Sequence, residues 1–343
     1  MTSMTAKKPE PAAAYEAVQT SKFEPWLVKT VCEPVLSITP RAITPNQITV
    51  FNHFVAWAVF AGAAYSPRLV GGEKLALLSL VALGSLATMI LDCLDGMQAR
   101  RTGRTSKLGE FLDHWLDAIM VPLTGVGMGI MLELPPIFLV PAHLAGAMVY
   151  NAQLVHYQAH GKFVHPPTSG AEAQFGVAVG YVLAGLAWYA FPRPSMFVEY
   201  TGIAFSFVAV FVQLKQCKFY YDQLAGRLDG HFAFIAPALV FAGLFAAGVI
   251  DVVTYALAVT FLSFRSSGSY VLRILTKRTF DGRDPVVTAL AGLALLAYFA
   301  APKTVAGWPV VGVIVGAACL YMVVANFVDF ARSYPALRAP PRA

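Results

Sequence analysis

From residue 47 onward, long apolar stretches alternate with short polar joints. Ten such stretches can be marked: 47–66, 73–94, 108–132, 135–157, 173–192, 196–216, 231–250, 252–275, 285–301 and 308–330, with Pro and Gly breaks at Pro135, Pro136 and Pro194. A helix rises about 1.5 Å per residue, so about 20 apolar residues cross a hydrocarbon core of about 30 Å. Each stretch therefore predicts a membrane-crossing helix. Upstream the pattern changes. Between residues 22 and 36, Phe23, Trp26, Leu27, Val31 and Val35 recur at helical spacing opposite Lys22, Lys29 and Glu33. That pattern predicts an amphipathic helix lying in the headgroup region, anchored by Trp26. The expected fold is all-α, a polytopic integral membrane protein of about ten transmembrane helices with an N-terminal interfacial helix.

Composition agrees. The 343 residues are 57% hydrophobic and 13% charged, whereas a soluble domain carries about a quarter charged residues. A net charge of +6 would suggest nucleic acid only if the basic residues formed one soluble patch. They are spread over the joints between spans, so no nucleic-acid partner is expected. Their distribution sets topology instead: 21 of the 25 lysines and arginines fall in the N-terminal tail and alternate joints. Only Arg68, Lys74, Arg193 and Lys303 fall on the other side. Such asymmetry implies an even number of spans and cytoplasmic termini. The first 20 residues lack an apolar signal core and read as a cytoplasmic tail. Cys32, Cys93, Cys217 and Cys319 have no C-x2-C spacing and read as small buried hydrophobes.

One stretch breaks the apolar pattern with chemistry. Residues 92–117 contain Asp92-x2-Asp95-Gly96-x2-Ala99-Arg100, a basic loop, and Gly109-x3-Asp113-x3-Asp117. At about 100° per residue, Asp92, Asp95, Gly96 and Ala99 share one helix face, and Gly109, Asp113 and Asp117 form a second stripe. Two such helices facing each other gather four carboxylates with only small residues beside them. An ionised Asp inside a transmembrane helix costs about 2.5 to 3.5 kcal/mol. Four together make sense with bound cations, and hard oxygen ligands select Mg2+ or Mn2+, with two ions expected. Gly96, Ala99 and Gly109 leave room for a backbone or a ligand, while Arg100 can pair with phosphate oxygens or with Asp92. Arg101, Arg104 and Lys107 read as topology determinants. Upstream, Asn46, Thr49 and His53 line one stripe of the first span, which should face protein or a water-filled cavity.

The string LDCLDGMQARRTGRTSKLGEFLDHWLD resembles the signature of the CDP-alcohol phosphotransferases, DG-x2-AR with flanking acids, at all eight fixed positions. The resemblance implies that Asp92, Asp95 and Asp113 hold the ions against a pyrophosphate and that Asp117 completes the site. It also implies that Asn46, in a Pro-Asn-x-x-Thr string, approaches the nucleotide. Glu172-x-Gln174, the Asp113-His114 pair and the ten spans look like the choline and ethanolamine phosphotransferase branch. That branch implies His114 as the base that deprotonates the acceptor hydroxyl, with Asp117 the other candidate and Glu172 either orienting His114 or recognising a cationic headgroup. Met97 and Trp115-Leu116 depart from the branch, which has Lys and Gly-Cys there.

The expected organisation is a tail and interfacial helix over 1–42, a catalytic core over 43–195, additional spans over 196–333 forming an acceptor-lipid chamber or dimer contacts, and a disordered tail over 334–343. The expected activity is metal-dependent transfer of phosphocholine or phosphoethanolamine from CDP-choline or CDP-ethanolamine to a diacylglycerol-like hydroxyl, releasing CMP. The active site would face the cytoplasm, and the resemblance makes a homodimer the expected assembly. The rival within the class transfers a phosphatidyl group from CDP-diacylglycerol to a small water-soluble alcohol. A transporter would place its acids at mid-membrane, and a scaffold would leave four aspartates without purpose. His156 and His160, at i and i+4, lack a third metal ligand in register. Arg265 could line a headgroup path or snorkel to the interface, with Asn326 and Asp329 as packing or capping residues.

Overall fold

A computed structural model describes residues 17–18, 23–164, 170–191, 195–224, 229–277, 284–305 and 308–338. Lys22, Pro194 and most of the N-terminal tail lie outside them. The amphipathic stretch is helical, as α1 (Phe23–Leu27), a π-helical turn (Val28–Cys32) and α2 (Glu33–Ile38). Ten longer helices follow: α3 (Pro45–Tyr65), α4 (Gly71–Thr102), α5 (Lys107–Met131), α6 (Pro136–His160), α7 (Gly170–Ala190), α8 (Ser195–Tyr221), α9 (Asp229–Ala246), α10 (Val252–Thr276), α11 (Pro285–Ala300) and α12 (Val310–Arg338). They coincide in order with the ten apolar stretches. The only strands among the described residues are two-residue bridges, β1 (Ala17–Val18) parallel to β2 (Phe163–Val164) and β3 (Thr304–Val305) antiparallel to β4 (Trp308–Pro309).

By length and composition, six of the described helices are long and apolar enough to cross a membrane: α3, α4, α6, α7, α8 and α12. The apolar part of α9 and the whole of α11 are shorter. The chain is thus a multi-pass, all-α membrane protein. Two boundaries differ from the sequence reading. Apolar periodicity ends near residue 94, yet α4 runs eight residues further, so Arg100 and Arg101 are helical and only 103–106 connect α4 to α5. Gly103 stops α4 in the left-handed region at φ 66°, and the Ser106 hydroxyl caps α5 by accepting from the Gly109 N–H. The tail expected to be disordered from 334 continues α12 as far as Arg338.

α5 occupies the centre, packed against α3 on one side and α6 and α10 on the other, while α4 packs against α3 and α7. α10 packs in turn on α9 and α12. Gly268 sets the closeness of α10 to its neighbours. A Cβ there would lie 2.5 Å from Asn326 Oδ1 and 2.7 Å from Trp115 Nε1. The Trp115 indole fills that gap, stacked on Phe264 at 4.6 Å and on Phe111 at 4.8 Å.

Arg265 does not line an open path or snorkel. Its Nε donates to Asp284 Oδ2 at 2.8 Å and its Nη1 to Asp329 Oδ2 at 2.6 Å. Asp284 also caps α11 by accepting from the Val286 and Val287 N–H groups. One guanidinium therefore joins α10, α11 and α12, and Asp329 is its ion-pair partner rather than a cap. Two fixed acids offer a guanidinium in apolar surroundings more than a long reach to water would.

Candidate active site

Only four residues, 103–106, lead from α4 into α5, and the acidic stripes of the two helices meet. One ligand oxygen each from Asp92, Asp113 and Asp117 lies within 4.8 Å of the others. Asp92 and Asp117 are close enough to share a hydrogen bond. Two carboxylates at that separation need a proton or a cation between them. The donor set is all oxygen, as Mg2+ or Mn2+ requires, so the residues present fit divalent ions.

Asp95 is brought to the same end but outside that triplet. It is buried, and its Oδ2 accepts from the Thr49 hydroxyl at 2.6 Å. Thr49 is thus the member of the predicted polar stripe that touches the acids, while His53 lies buried one turn deeper in α3. At the mouth, α3 begins with a capping box between Thr44 and Gln47, and Pro45 occupies its first turn. Asn46 Oδ1 lies 3.4 Å from where a Cβ on Gly109 would be, so α3 and α5 meet closely here. The Arg100 guanidinium lies over Gly96, 3.4 Å from the corresponding point, and its charge acts on Asp95. Ala99, one turn beyond Asp95 and Gly96 on α4, is half-buried.

His114 is fixed from several directions. Its carbonyl accepts from Tyr150 Oη at 2.5 Å and Ser267 Oγ at 3.0 Å, tying α5 to α6 and α10. Its ring stacks on Phe163 at 4.3 Å and meets the edge of Tyr157 at 6.1 Å. The Tyr157 hydroxyl donates to Glu110 Oε1 at 2.5 Å, one turn from His114. Through this box, His114 Nδ1 sits 4.0 Å from Asp113 Oδ2. The sequence reading missed Phe163, Tyr157 and Glu110 as the walls of this box. Only Glu110, at i−4 from His114, gave a local signal.

Glu172 and Gln174 occupy the first turn of α7, half-buried, where α7 packs along α4. His156 and His160 have other partners: His160 Nδ1 meets the His156 carbonyl at 3.2 Å, and His156 Nε2 pairs with Gln223 Oε1 at 3.0 Å. Arg101, read as a topology determinant, donates to the Leu36 and Thr39 carbonyls, while Gln98 Nε2 donates to the Pro40 and Ile43 carbonyls. Carbonyls in the last turn of α2 and just beyond it give these side chains their partners.

Residues 42–212 match a family model described as CDP-alcohol phosphatidyltransferase. Cholinephosphotransferase 1 of Rattus norvegicus is 31% identical over 128 residues, covering 35% of this chain and 30% of the rat protein. Choline/ethanolaminephosphotransferase 2 of Arabidopsis thaliana is 29% identical over 116 residues, covering 34% and 30%. An uncharacterised class-I protein of the same family in Dictyostelium discoideum is 28% identical over 153 residues, covering 41% and 38%. The chain therefore aligns with between 30% and 38% of the length of these relatives.

Proposed function

Residues 42–212 belong to the CDP-alcohol phosphatidyltransferase family, and from that premise we propose that the protein transfers a phosphoalcohol from a CDP-alcohol to a lipid hydroxyl, releasing CMP. The observation that carries this reading is the convergence of Asp92, Asp113 and Asp117 within 4.8 Å at one end of an apolar bundle. The named transferases among its relatives make phosphocholine or phosphoethanolamine the favoured group, with a diacylglycerol-like acceptor.

Asp92, Asp113 and Asp117 would hold two Mg2+ or Mn2+ ions, with Asp95 steadied beside them by the Thr49 hydroxyl. Such ions, when bound, neutralise the donor pyrophosphate and stabilise the departing CMP. Arg100 offers planar donors to phosphate oxygens at the rim, and the Asn46 amide beside Gly109 is placed for the nucleotide. Gly96 and Ala99 leave the approach clear.

The acceptor proton goes to His114. A neutral imidazole titrates near operating pH, and here the side chain is positioned by Phe163 and by Asp113 at 4.0 Å. Asp117 is the poorer base, being within hydrogen-bonding distance of Asp92 and among the carboxylates that would hold the ions. Glu172 and Gln174 flank the alcohol end from α7. The spans from α8 onward line the lipid chamber or form the contacts of a homodimer, all ten helices cross the bilayer, and the acidic end faces the cytoplasm, where nucleotides are available. Transfer to an anionic alcohol phosphate, with CDP-diacylglycerol as donor, would want free cations beside Asp117; Arg101 is committed to α2.

Purified protein offered labelled CDP-choline, CDP-ethanolamine or CDP-diacylglycerol, with diacylglycerol or small alcohols, tests the reading. CMP release with the first two donors and diacylglycerol, dependent on Mg2+ or Mn2+, is expected. Turnover that survives EDTA, or that runs only with CDP-diacylglycerol, overturns it.

A further inference from the structure

Gly161 ends α6 in the left-handed region at φ 69°, and the chain leaves the helix for the two extended residues of β2, Phe163 and Val164. Phe163 lays its ring on the His114 imidazole, 4.3 Å between centroids and 20° between planes, and meets the Tyr157 ring edge-on at 5.6 Å. So short an extended piece has no ladder of its own, and its buried backbone groups need partners from elsewhere. The Val164 carbonyl finds two. Gln153 Nε2 of α6 donates to it at 3.1 Å and Tyr220 Oη of α8 at 2.8 Å, which takes up both lone pairs of that oxygen. Ala17 and Val18 of β1 pair along the same piece, with Phe163 and Val164 respectively.

Tyr220 is fully buried in the last turn of α8. A buried phenol hydroxyl is costly unless it is hydrogen-bonded, and its partner here is the residue next to the one that stacks on the proposed base. The same end of α8 is tied to α6: the Tyr220 and His156 rings lie 5.6 Å apart, and His156 Nε2 pairs with Gln223 Oε1 at 3.0 Å. The matched family region stops at residue 212, so this anchor comes from beyond it. The backbone of His114 is already held by Tyr150 and Ser267 through its carbonyl. What β2 adds is a hold on the ring. Phe163 and Val164 share one peptide bond, with Cα atoms about 3.8 Å apart, so a shift of the anchored carbonyl moves the stacked ring. A base must keep its nitrogen aimed at the acceptor hydroxyl, and about 1 Å of misplacement costs up to about a hundredfold in rate.

Resting on the reading of His114 as the base, we propose that Tyr220 is a positioning residue for the transfer step: its hydroxyl fixes β2 so that Phe163 keeps the imidazole turned toward the acceptor. The relevant measurement is kcat and KM for labelled CDP-choline in the full-length protein with diacylglycerol and Mg2+ or Mn2+, each variant made alone and in a His114→Ala background. Tyr220→Phe removes only the hydroxyl and lowers kcat about fivefold, with KM for the donor unchanged, since Gln153 still holds the carbonyl. Adding Gln153→Leu frees the carbonyl and lowers kcat about thirtyfold, and Phe163→Leu has an effect of the same size. In the His114→Ala background none of these changes lowers the residual rate further, because the ring that they aim is gone. A merely structural role for α8 would act equally in both backgrounds. Equal losses there, or a kcat untouched by Tyr220→Phe and Phe163→Leu, overturn the positioning role and leave the transferase reading standing. Should His114→Ala turn over normally, the base assignment fails and this role goes with it. A wild type that releases CMP from no CDP-alcohol removes the transferase reading itself.

Discussion

Single residues carry the chemistry, and each has a distinct reason for its place. Asp113 stands in the carboxylate triplet and 4.0 Å from His114 Nδ1. Asp113→Asn should abolish turnover and weaken Mn2+ binding, followed by electron paramagnetic resonance on the purified protein. His114 is the proposed base, and general base catalysis is worth about a hundredfold or more, so His114→Ala should lower kcat by at least about that factor. Near-normal turnover would transfer the role to Asp117. Trp115 marks the opposite case. It departs from the choline and ethanolamine branch, and its indole is buried in an aromatic stack between α5, α10 and α12, where Gly268 leaves it room. Trp115→Ala should therefore act on stability, costing about 3 to 5 kcal/mol, read as a lowered Tm in detergent with donor preference retained.

At the scale of elements, polar joints between helices matter as much as the apolar faces. The Arg265 bridge to Asp284 and Asp329 sits far along the chain from the acidic motif, yet it fixes α10, which in turn supports His114 through Ser267. Arg265→Ala strands two acids in a half-buried setting and should destabilise the second half of the bundle by about 3 to 5 kcal/mol. Removing Asp284 and Asp329 together with Arg265 should recover part of that loss in the same thermal unfolding assay. The run of α4 past its apolar limit to Thr102 has a comparable cause. Gln98 and Arg101 reward helix there by bonding the carbonyls of the 36–43 segment, a gain that no hydropathy window registers.

For the whole molecule, the arrangement predicts sidedness. By the charge asymmetry of the sequence, the 103–106 connection is expected on the cytoplasmic side and Arg68 and Lys303 on the other. Single cysteines placed at Arg104 and at Arg68, in a background with the native four replaced, should label from opposite sides of sealed vesicles. A membrane-impermeant maleimide reads this directly. Arg104→Cys reacting only from the cytoplasmic side is the expected result, and labelling of both positions from one side would refute the topology. The same architecture explains why four acids are tolerated in so apolar a chain. Asp92, Asp113 and Asp117 lie close enough together for a cation to bridge them, and Asp95 is held by the Thr49 hydroxyl, while the rest of α5 continues as packed apolar core.

Amphipathic and apolar periodicity by itself determined the ten helices and the segment before them, because burial in lipid or protein rewards each helix locally and leaves its mark at fixed spacing. The two acidic stripes were equally legible, since the spacings 92/95 and 113/117 put each set on one face whatever the neighbours do. The long-range partners were not legible. Thr49 on Asp95, Phe163 against His114, Arg265 between two aspartates and Leu27 of the first helix against Met89 depend on which helices lie side by side. Packing of the whole bundle makes that choice, by fitting Trp115 against Gly268 and short connections against long ones, and only the tertiary structure records it.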